Sequence, residues 1–298
     1  MRAARIHAYG GPDVIRIDDV PQPFPARGEA LIRVVATSLN PTEAALRGGK
    51  LAGLFPVEFP FTLGWDVAGT VGGVPVIGML DHGAAAGYAV GPEERLVAAP
   101  RSVPLADAAV LPLAGMTAWQ AVVGHARVVA GERVLISGAG GGIGTFAVQI
   151  AKHLGAYVLA TASPRSAGAV RRLGADVVLD YTAGPLEPGR PVDAVVNCAA
   201  IGADAASALP GLVRAGGRVV TVATPVEPTA EVRAWHVVTR NSPGDLKTLV
   251  GLVDAGALTL DISDRRDLAD LPALHRLAEA GGVRGKVLVK TQRERPTE

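Results

Sequence analysis

The segment Arg133-Val-Leu-Ile-Ser-Gly-Ala-Gly-Gly-Gly-Ile-Gly144 constrains the fold more tightly than any other stretch of this 298-residue chain. A short apolar run ends in clustered glycines, and the apolar-periodic stretch FAVQIAKHLG follows. Glycine at 138, 141 and 144 lets the chain turn tightly, lets backbone N–H groups approach a pyrophosphate, and lets the following helix pack against the strand. The usual GxGxxG spacing is met only as Ala139-x-Gly141-x-x-Gly144. Val134 to Ala151 carries no charge over 18 residues, a length that invites a transmembrane reading, but five of those residues are glycine. Glycine at that density disfavours an uninterrupted helix, so the segment reads as strand, turn and helix.

The surrounding rhythm agrees. RVLIS, AYVLAT, DVVLDY, VDAVVNC and RVVTVA are continuous apolar runs rich in β-branched residues, as in strands buried on both faces of a parallel sheet. FAVQIAKHLG, AVRRLG and ALPGLVRAGG supply the helices between them. The alternation predicts a doubly wound α/β sheet over residues 101–256. Before Pro100 the chain changes character: AARIHAY, VIRI, ALIRVVATS, DVAGTV, VPVIGM, YAV and RLVAAP are short runs broken by Gly and Pro, which reads as antiparallel β. LNPTEAALRGG interrupts them as a short helix, opened by Asn-Pro and closed by glycines. After about Ala257, LADLPALHRLAEAGG reads as an amphipathic helix and KVLVK as a closing strand. That strand needs a sheet to join, and the simplest topology returns it to residues 1–100, so that 257–298 completes the first domain.

Charge and cysteine usage narrow the function classes. Lys plus Arg number 29 against 28 Asp plus Glu, so whole-chain charge provides no attraction to nucleic acid or an anionic membrane. Cys198 is the only cysteine, which excludes an internal disulfide and a structural zinc held by paired cysteines. The N-terminus meets charge before it builds an apolar stretch, so no signal peptide is read there and a reducing, cytoplasmic location is expected.

The residue about 20 positions beyond the glycine turn selects the dinucleotide, because a carboxylate there accepts hydrogen bonds from the adenosine ribose of NAD. Here the second strand ends Thr161-Ala162-Ser163-Pro164-Arg165-Ser166, and no carboxylate occurs before Asp176. A hydroxyl and an arginine suit a 2′-phosphate, which favours NADPH. The missing carboxylate argues against FAD proteins and methyltransferases of this fold. A short-chain reductase would carry Tyr-x-x-x-Lys, but Tyr9, Tyr88, Tyr157 and Tyr181 are followed four residues on by Asp13, Pro92, Thr161 and Pro185.

Leu39-Asn-Pro-Thr-Glu-Ala-Ala-Leu-Arg-Gly-Gly49, Gly64-Trp-Asp-Val-Ala-Gly69, Ala108-Ala-Val-Leu-Pro-Leu-Ala-Gly-Met-Thr-Ala-Trp119, the glycine turn with AVQIAKHLGA, Leu173-Gly-Ala-Asp176 and Val283-Arg-Gly-Lys-Val287 occur in an ordered set. The chain thereby resembles the zinc-independent medium-chain dehydrogenases/reductases, in their quinone oxidoreductase branch. The resemblance implies a Rossmann doubly wound parallel sheet, a discontinuous GroES-like β domain, NADPH and a homodimer joined through the Rossmann sheets. It implies that Asn40 and Thr117 lie beside the nicotinamide, that Gly141, Gly142 and Ile143, with Gly138 and Gly144, lie under the pyrophosphate, and that Ser163, Arg165 and Tyr181 surround the 2′-phosphate. Lys286 is also expected to reach the cofactor.

The departures from the family pattern bear on chemistry. Zinc-dependent relatives carry a Cys, a Gly-His-Glu and a further cysteine, whereas this chain has Gly64-Trp65-Asp66 and neither cysteine. Asp66 is read as a hydrogen-bonding carboxylate and no catalytic metal is expected. Without a Lewis acid, hydride delivery to a simple ketone is disfavoured, while a quinone or enone spreads the arriving charge through its π system. A small, apolar, conjugated carbonyl substrate in a cleft between the domains is the expectation. Relatives place a Tyr shortly after Arg-x-Gly, but this chain reads Arg47-Gly-Gly-Lys-Leu51, and only Gly72–Gly87 separates the GWDVAGTV strand from Tyr88. Lys50, Asp81, His82 and Tyr88 are candidate proton donors, with water as the alternative, and His236 falls where relatives bring a strand near the nicotinamide. Three readings stay open: a quinone or enone reductase, an enoyl reductase of polyketide or other secondary metabolism, and an NADPH-binding protein with little turnover.

Overall fold

The computed structural model describes residues 1–292; the remainder of the 257–298 segment lies outside the described residues. The described residues form two compact units, one built from residues 1–113, 241–254 and 262–292, the other from 114–240 and 255–261.

The first unit begins with strands β1 (Arg2–Ile6), β2 (Ile15–Asp19) and β3 (Glu29–Ser38), helix α1 (Pro41–Arg47), and strands β4 (Phe61–Thr62), β5 (Asp66–Val71), β6 (Val74–Met79), β7 (Tyr88–Pro92) and β8 (Leu96–Ala98). β1 pairs antiparallel with β2 and β4 in a small sheet, while β3 pairs antiparallel with β5 and β7. Two apolar clusters form the core: Ile6, Leu39, Leu46 and Leu63 in one, Ile32, Val34, Val67 and Leu80 in the other. The predicted LNPTEAALRGG helix is α1. Pro41 occupies its first turn, where a missing N–H is tolerated, and Gly49 follows its end at φ +77°.

In the second unit, α2 (Pro112–Trp119), which begins at the unit boundary, continues into a turn of π-helix, Gln120–His125. Then come β9 (Arg133–Ser137), α3 (Gly142–His153), β10 (Tyr157–Ala162), α4 (Pro164–Arg172), β11 (Val177–Asp180), β12 (Val192–Asn197), α5 (Ala203–Ser207), β13 (Val213–Thr221) and β14 (Arg233–His236). The six strands are parallel, in the order β11-β10-β9-β12-β13-β14, so the winding reverses beside β9. The uncharged Val134–Ala151 stretch is divided between β9 and α3, and among the described residues no helix is long and apolar enough to cross a membrane.

One expected helix is absent. ALPGLVRAGG is not a helix: Leu209–Leu212 make a single 3-10 turn and Val213 opens β13. Pro210 and Gly211 interrupt helical hydrogen bonding, and buried Val213 pairs with Val192.

The chain then supplies α6 (Pro243–Asp254), β15 (Ile262–Asp267), α7 (Leu271–Glu279) and β16 (Lys286–Lys290) to the first unit. β16 pairs antiparallel with β3, Leu288 opposite Ser38, so the closing strand enters the N-terminal sheet. β15, parallel to β16, has no counterpart in the sequence reading, because ISDRRD lacks the apolar alternation of a half-buried strand.

Candidate active site

The second unit presents the glycine turn at the carboxyl end of β9, beside the reversal in strand order, where ligands of open α/β sheets bind. Gly138 has φ +75°, and a Cβ there would lie 2.9 Å from Ala199. At Gly144 a Cβ would lie 2.1 Å from the Gly138 carbonyl oxygen, so helix and strand meet there without room for a side chain. Gly141 is different. Its backbone is ordinary (φ −90°, ψ 171°), and a Cβ would meet only the Gly138 carbonyl at 3.4 Å. Neither dihedral nor packing demands glycine at that position, so its open side fits a group approaching from outside the chain. Thr145 N–H bonds to Gly141 C=O. The N–H groups of Gly142, Ile143 and Gly144 therefore precede the first intrahelical bond of α3 and face outward with the positive end of the helix dipole.

The neighbouring strand ends carry the other predicted residues. Thr161, buried in β10, ties down the turn: its hydroxyl accepts from Gly138 N–H at 2.9 Å and its carbonyl from Ala139 N–H at 3.2 Å. Ser163 is the N-cap residue of α4, Arg165 is exposed in the first turn of that helix, and Tyr181, 54% exposed, directly follows β11. β10 and β11 are paired with Ala162 opposite Asp180, so Ser163 and Tyr181 leave the sheet side by side. Thr117 is buried, its hydroxyl 2.6 Å from that of Thr239. His236 ends β14, with Nδ1 3.0 Å from the Thr221 hydroxyl.

The first unit contains a buried polar cluster around Asn40, Asp66 and Lys286. Asp66 is fully buried and accepts from Asn40 Nδ2 at 2.8 Å, from Leu113 N–H at 2.8 Å and from the Ser38 hydroxyl. Lys286, 3% exposed, donates to Asn40 Oδ1 at 2.8 Å and Leu39 C=O at 3.0 Å, with Asp66 at 3.5 Å. Asn40 stands at the N-cap of α1 but makes no capping bond, because its amide is engaged by Asp66 and Lys286. Burial lowers the Lys286 pKa, opposed by the negative charge of Asp66 and Glu43.

Sequence reasoning missed Glu43, 2% exposed, which completes this cluster. Burial, reinforced by Asp66, raises its pKa to about 8, so its carboxyl is largely protonated at neutral pH. Glu43 precedes Leu46 and Arg47 by three and four positions, on one helix face, and the structure buries all three.

The candidate proton donors are dispersed over the first unit. Asp81 is an exposed partner of Arg95 at 2.8 Å, Lys50 is exposed beyond α1, and Tyr88 opens β7 opposite Arg33. His82 packs on Phe61 with ring centroids 5.0 Å apart, in a cavity of about 540 Å³ also lined by Pro56, Phe59 and Pro60. Among the described residues no group of three or more His, Cys, Asp or Glu side chains is arranged to hold a metal ion.

Two family models match the chain: the alcohol dehydrogenase GroES-like domain over residues 26–91 and the zinc-binding dehydrogenase over 173–289. The zinc chemistry in the second description finds no matching donor set here: Asp66 is enclosed by hydrogen-bond donors and its neighbour is Trp65. The chain is 37% identical to the chloroplast envelope quinone oxidoreductase homolog of Arabidopsis thaliana, over 67% of this chain and 68% of that one. It is 32% identical to the NADPH-dependent alkenal/one oxidoreductase, chloroplastic, of the same plant, over 86% of this chain and 70% of the relative. Among solved structures, the quinone oxidoreductase from Coxiella burnetii superposes with a TM-score of 0.87 at 29% identity, covering 98% of this chain and 99% of that one. The chain belongs to the quinone oxidoreductase-like branch of the medium-chain dehydrogenase/reductase family.

Proposed function

We propose that this chain is an NADPH-dependent oxidoreductase that reduces quinones or other α,β-unsaturated carbonyls without a metal. The observation that carries this reading is Gly141, a glycine at the helix entrance that neither the backbone nor the packing requires. The names of the two Arabidopsis relatives support the same chemistry. When bound, NADPH supplies the hydride.

The residues divide the remaining work. The outward N–H groups of Gly142, Ile143 and Gly144 hold the pyrophosphate, with the α3 dipole behind them. Arg165, Ser163 and Tyr181 hold the 2′-phosphate, Arg165 through charge-assisted hydrogen bonds. Asn40 and Thr117 border the nicotinamide, and Lys286 acts through Asn40. In a conjugated acceptor the incoming charge reaches oxygen through the π system, so positioning and a few donors replace a Lewis acid. His82, Lys50, Tyr88, Asp81 or water completes the reduction with a proton. A homodimer joined through the parallel sheet and a cytoplasmic location belong to the same reading. Cys198, the only cysteine, forms no disulfide within the chain and suits a reducing compartment.

The test is nucleotide titration followed by turnover. Arg165→Glu is expected to weaken NADPH far more than NADH; equal losses contradict the phosphate assignment. With wild type, NADPH oxidation on naphthoquinones and linear enones is expected. Turnover confined to acyl thioesters assigns an enoyl reductase, and tight NADPH binding without turnover across the panel assigns a binding role.

A further inference from the structure

The second unit has a cavity of about 320 Å³, lined by His125, Arg127, Glu132, Arg218, Arg233 and Trp235 among others. Glu132 immediately precedes β9, whereas the glycine turn follows it, so cavity and turn lie at opposite ends of that strand. They are separate places.

The cavity is built around a spent ion pair. Arg218, 8% exposed, engages Glu132 through its two terminal guanidinium nitrogens, at 2.8 and 2.5 Å, and reaches the carbonyls of Ala126 and Arg127. Glu132, the one lining carboxylate, is thereby neutralised, and the same bonds to Arg218 hold its pKa below the ordinary value against burial. Arg127 and Arg233 remain as uncompensated lining charges. The Arg233 guanidinium lies 5.6 Å from the Trp235 ring centroid, which orients it without neutralising it. The side chains of Arg127 and His125 make no hydrogen bond or ion pair among the described residues.

Arg127 also has the only positive φ, +49°, of any non-glycine residue among those described. It follows the C-cap Ala126 of the π-turn, a place where the left-handed conformation is normally assigned to glycine. Arginine there is conformationally unfavourable and puts an unpaired guanidinium on the cavity wall. A residue that stands against its backbone preference points to use of its side chain. We propose that this cavity is an oxyanion-binding site, taking a phosphate- or carboxylate-bearing ligand between Arg127 and Arg233, independent of the dinucleotide turn. The guanidinium groups match such oxygens in pairs.

Isothermal titration of the full chain with inorganic phosphate, pyrophosphate and citrate, alongside thermal unfolding, tests the site. One oxyanion per chain is expected at the cavity, beyond any held by the dinucleotide turn and undiminished by saturating NADPH, and the better of the phosphoryl and carboxylate arms identifies the ligand class. Arg127→Gly is expected to weaken binding about tenfold while raising the unfolding midpoint, because glycine relieves the backbone. Arg233→Gln is expected to weaken it as well, and Arg165→Glu to leave it unchanged. Unaltered affinity in Arg127→Gly, or loss of binding with a lowered midpoint, overturns the proposal. Loss in Arg165→Glu also overturns it, by assigning the anion to the dinucleotide turn; the NADPH reading stands or falls separately.

Discussion

Lys286 Nζ donates to Asn40 Oδ1 at 2.8 Å across 246 residues of sequence, joining β16 to the entrance of α1. On its other side the same amide donates to Asp66 at 2.8 Å, so a cation and an anion fix which way Asn40 faces. Lys286→Met leaves the fully buried Asp66 without its nearest cation and Asn40 Oδ1 without a donor. A loss of about 3–5 kcal/mol is expected in urea unfolding, as for a broken buried pair. A loss under about 1 kcal/mol, typical of exposed pairs, would mean that the lysine does not hold the cluster together.

Glu43 makes the stability of this cluster depend on pH. Its folded pKa of about 8, against an ordinary 4.5, means the native chain retains a proton that the unfolded chain releases in that window. The contribution is full below 4.5 and is lost as pH rises through 8, with a slope of up to about 1.4 kcal/mol per pH unit. Glu43→Gln, neutral at every pH, is expected to flatten this decline and to exceed wild type in stability at the alkaline end. Parallel pH profiles for the two proteins would remove Glu43 as its source.

Two glycines of one turn are expected to respond differently to alanine. Gly144→Ala drives a Cβ to within 2.1 Å of a backbone oxygen, so the protein should be strongly destabilised or fail to fold. Gly141→Ala meets only a 3.4 Å contact and an ordinary φ, so it should keep the wild-type melting temperature within a few degrees. Its cost should fall on NADPH affinity, at least about tenfold, by blocking close approach of the pyrophosphate. Unimpaired binding by a stable Gly141→Ala protein would sink the ligand assignment of that position.

Arg47, 1% exposed, donates to Gly10 C=O, the Glu279 carboxylate and His275 Nδ1. Burial, with the Arg47 charge beside it, lowers the His275 pKa to about 4, so the ring is neutral and accepts. Removing either ion-pair partner has unequal consequences, since Glu279 is 43% exposed and can rehydrate while Arg47 cannot. Glu279→Ala is expected to cost about 3–5 kcal/mol, by stranding a buried guanidinium. Arg47→Met should cost less, about 1–3 kcal/mol, as lost hydrogen bonds. The reverse ranking in chemical denaturation would show that the guanidinium is stabilised mainly by other contacts.

What could be read beforehand was what depends on neighbouring residues. The β9–α3 turn, the helix opened by Asn40-Pro41 and the apolar runs of β9 to β13 announce themselves through local spacing and glycine or proline chemistry. The partners of a charged residue do not. Asp66 was anticipated as a hydrogen-bonding carboxylate, but its donors come from β3, α1's entrance, Leu113 and β16. Glu43 and Arg47 look like the solvated face of a short helix until α7 and the sheet cover them. β15 has four charged residues among its six and becomes a strand because β16 offers it a partner.

The central claim is hydride transfer from NADPH to a conjugated carbon without a metal. Its most direct measurement is transfer of deuterium from NADPH carrying deuterium at both C4 positions to a linear enone, with and without a strong chelator, read by mass spectrometry and NMR of the product. The account predicts one deuterium at the β-carbon per NADPH consumed, at a rate the chelator leaves unchanged. Product without label, or a reaction abolished by chelation and restored by zinc, would contradict it.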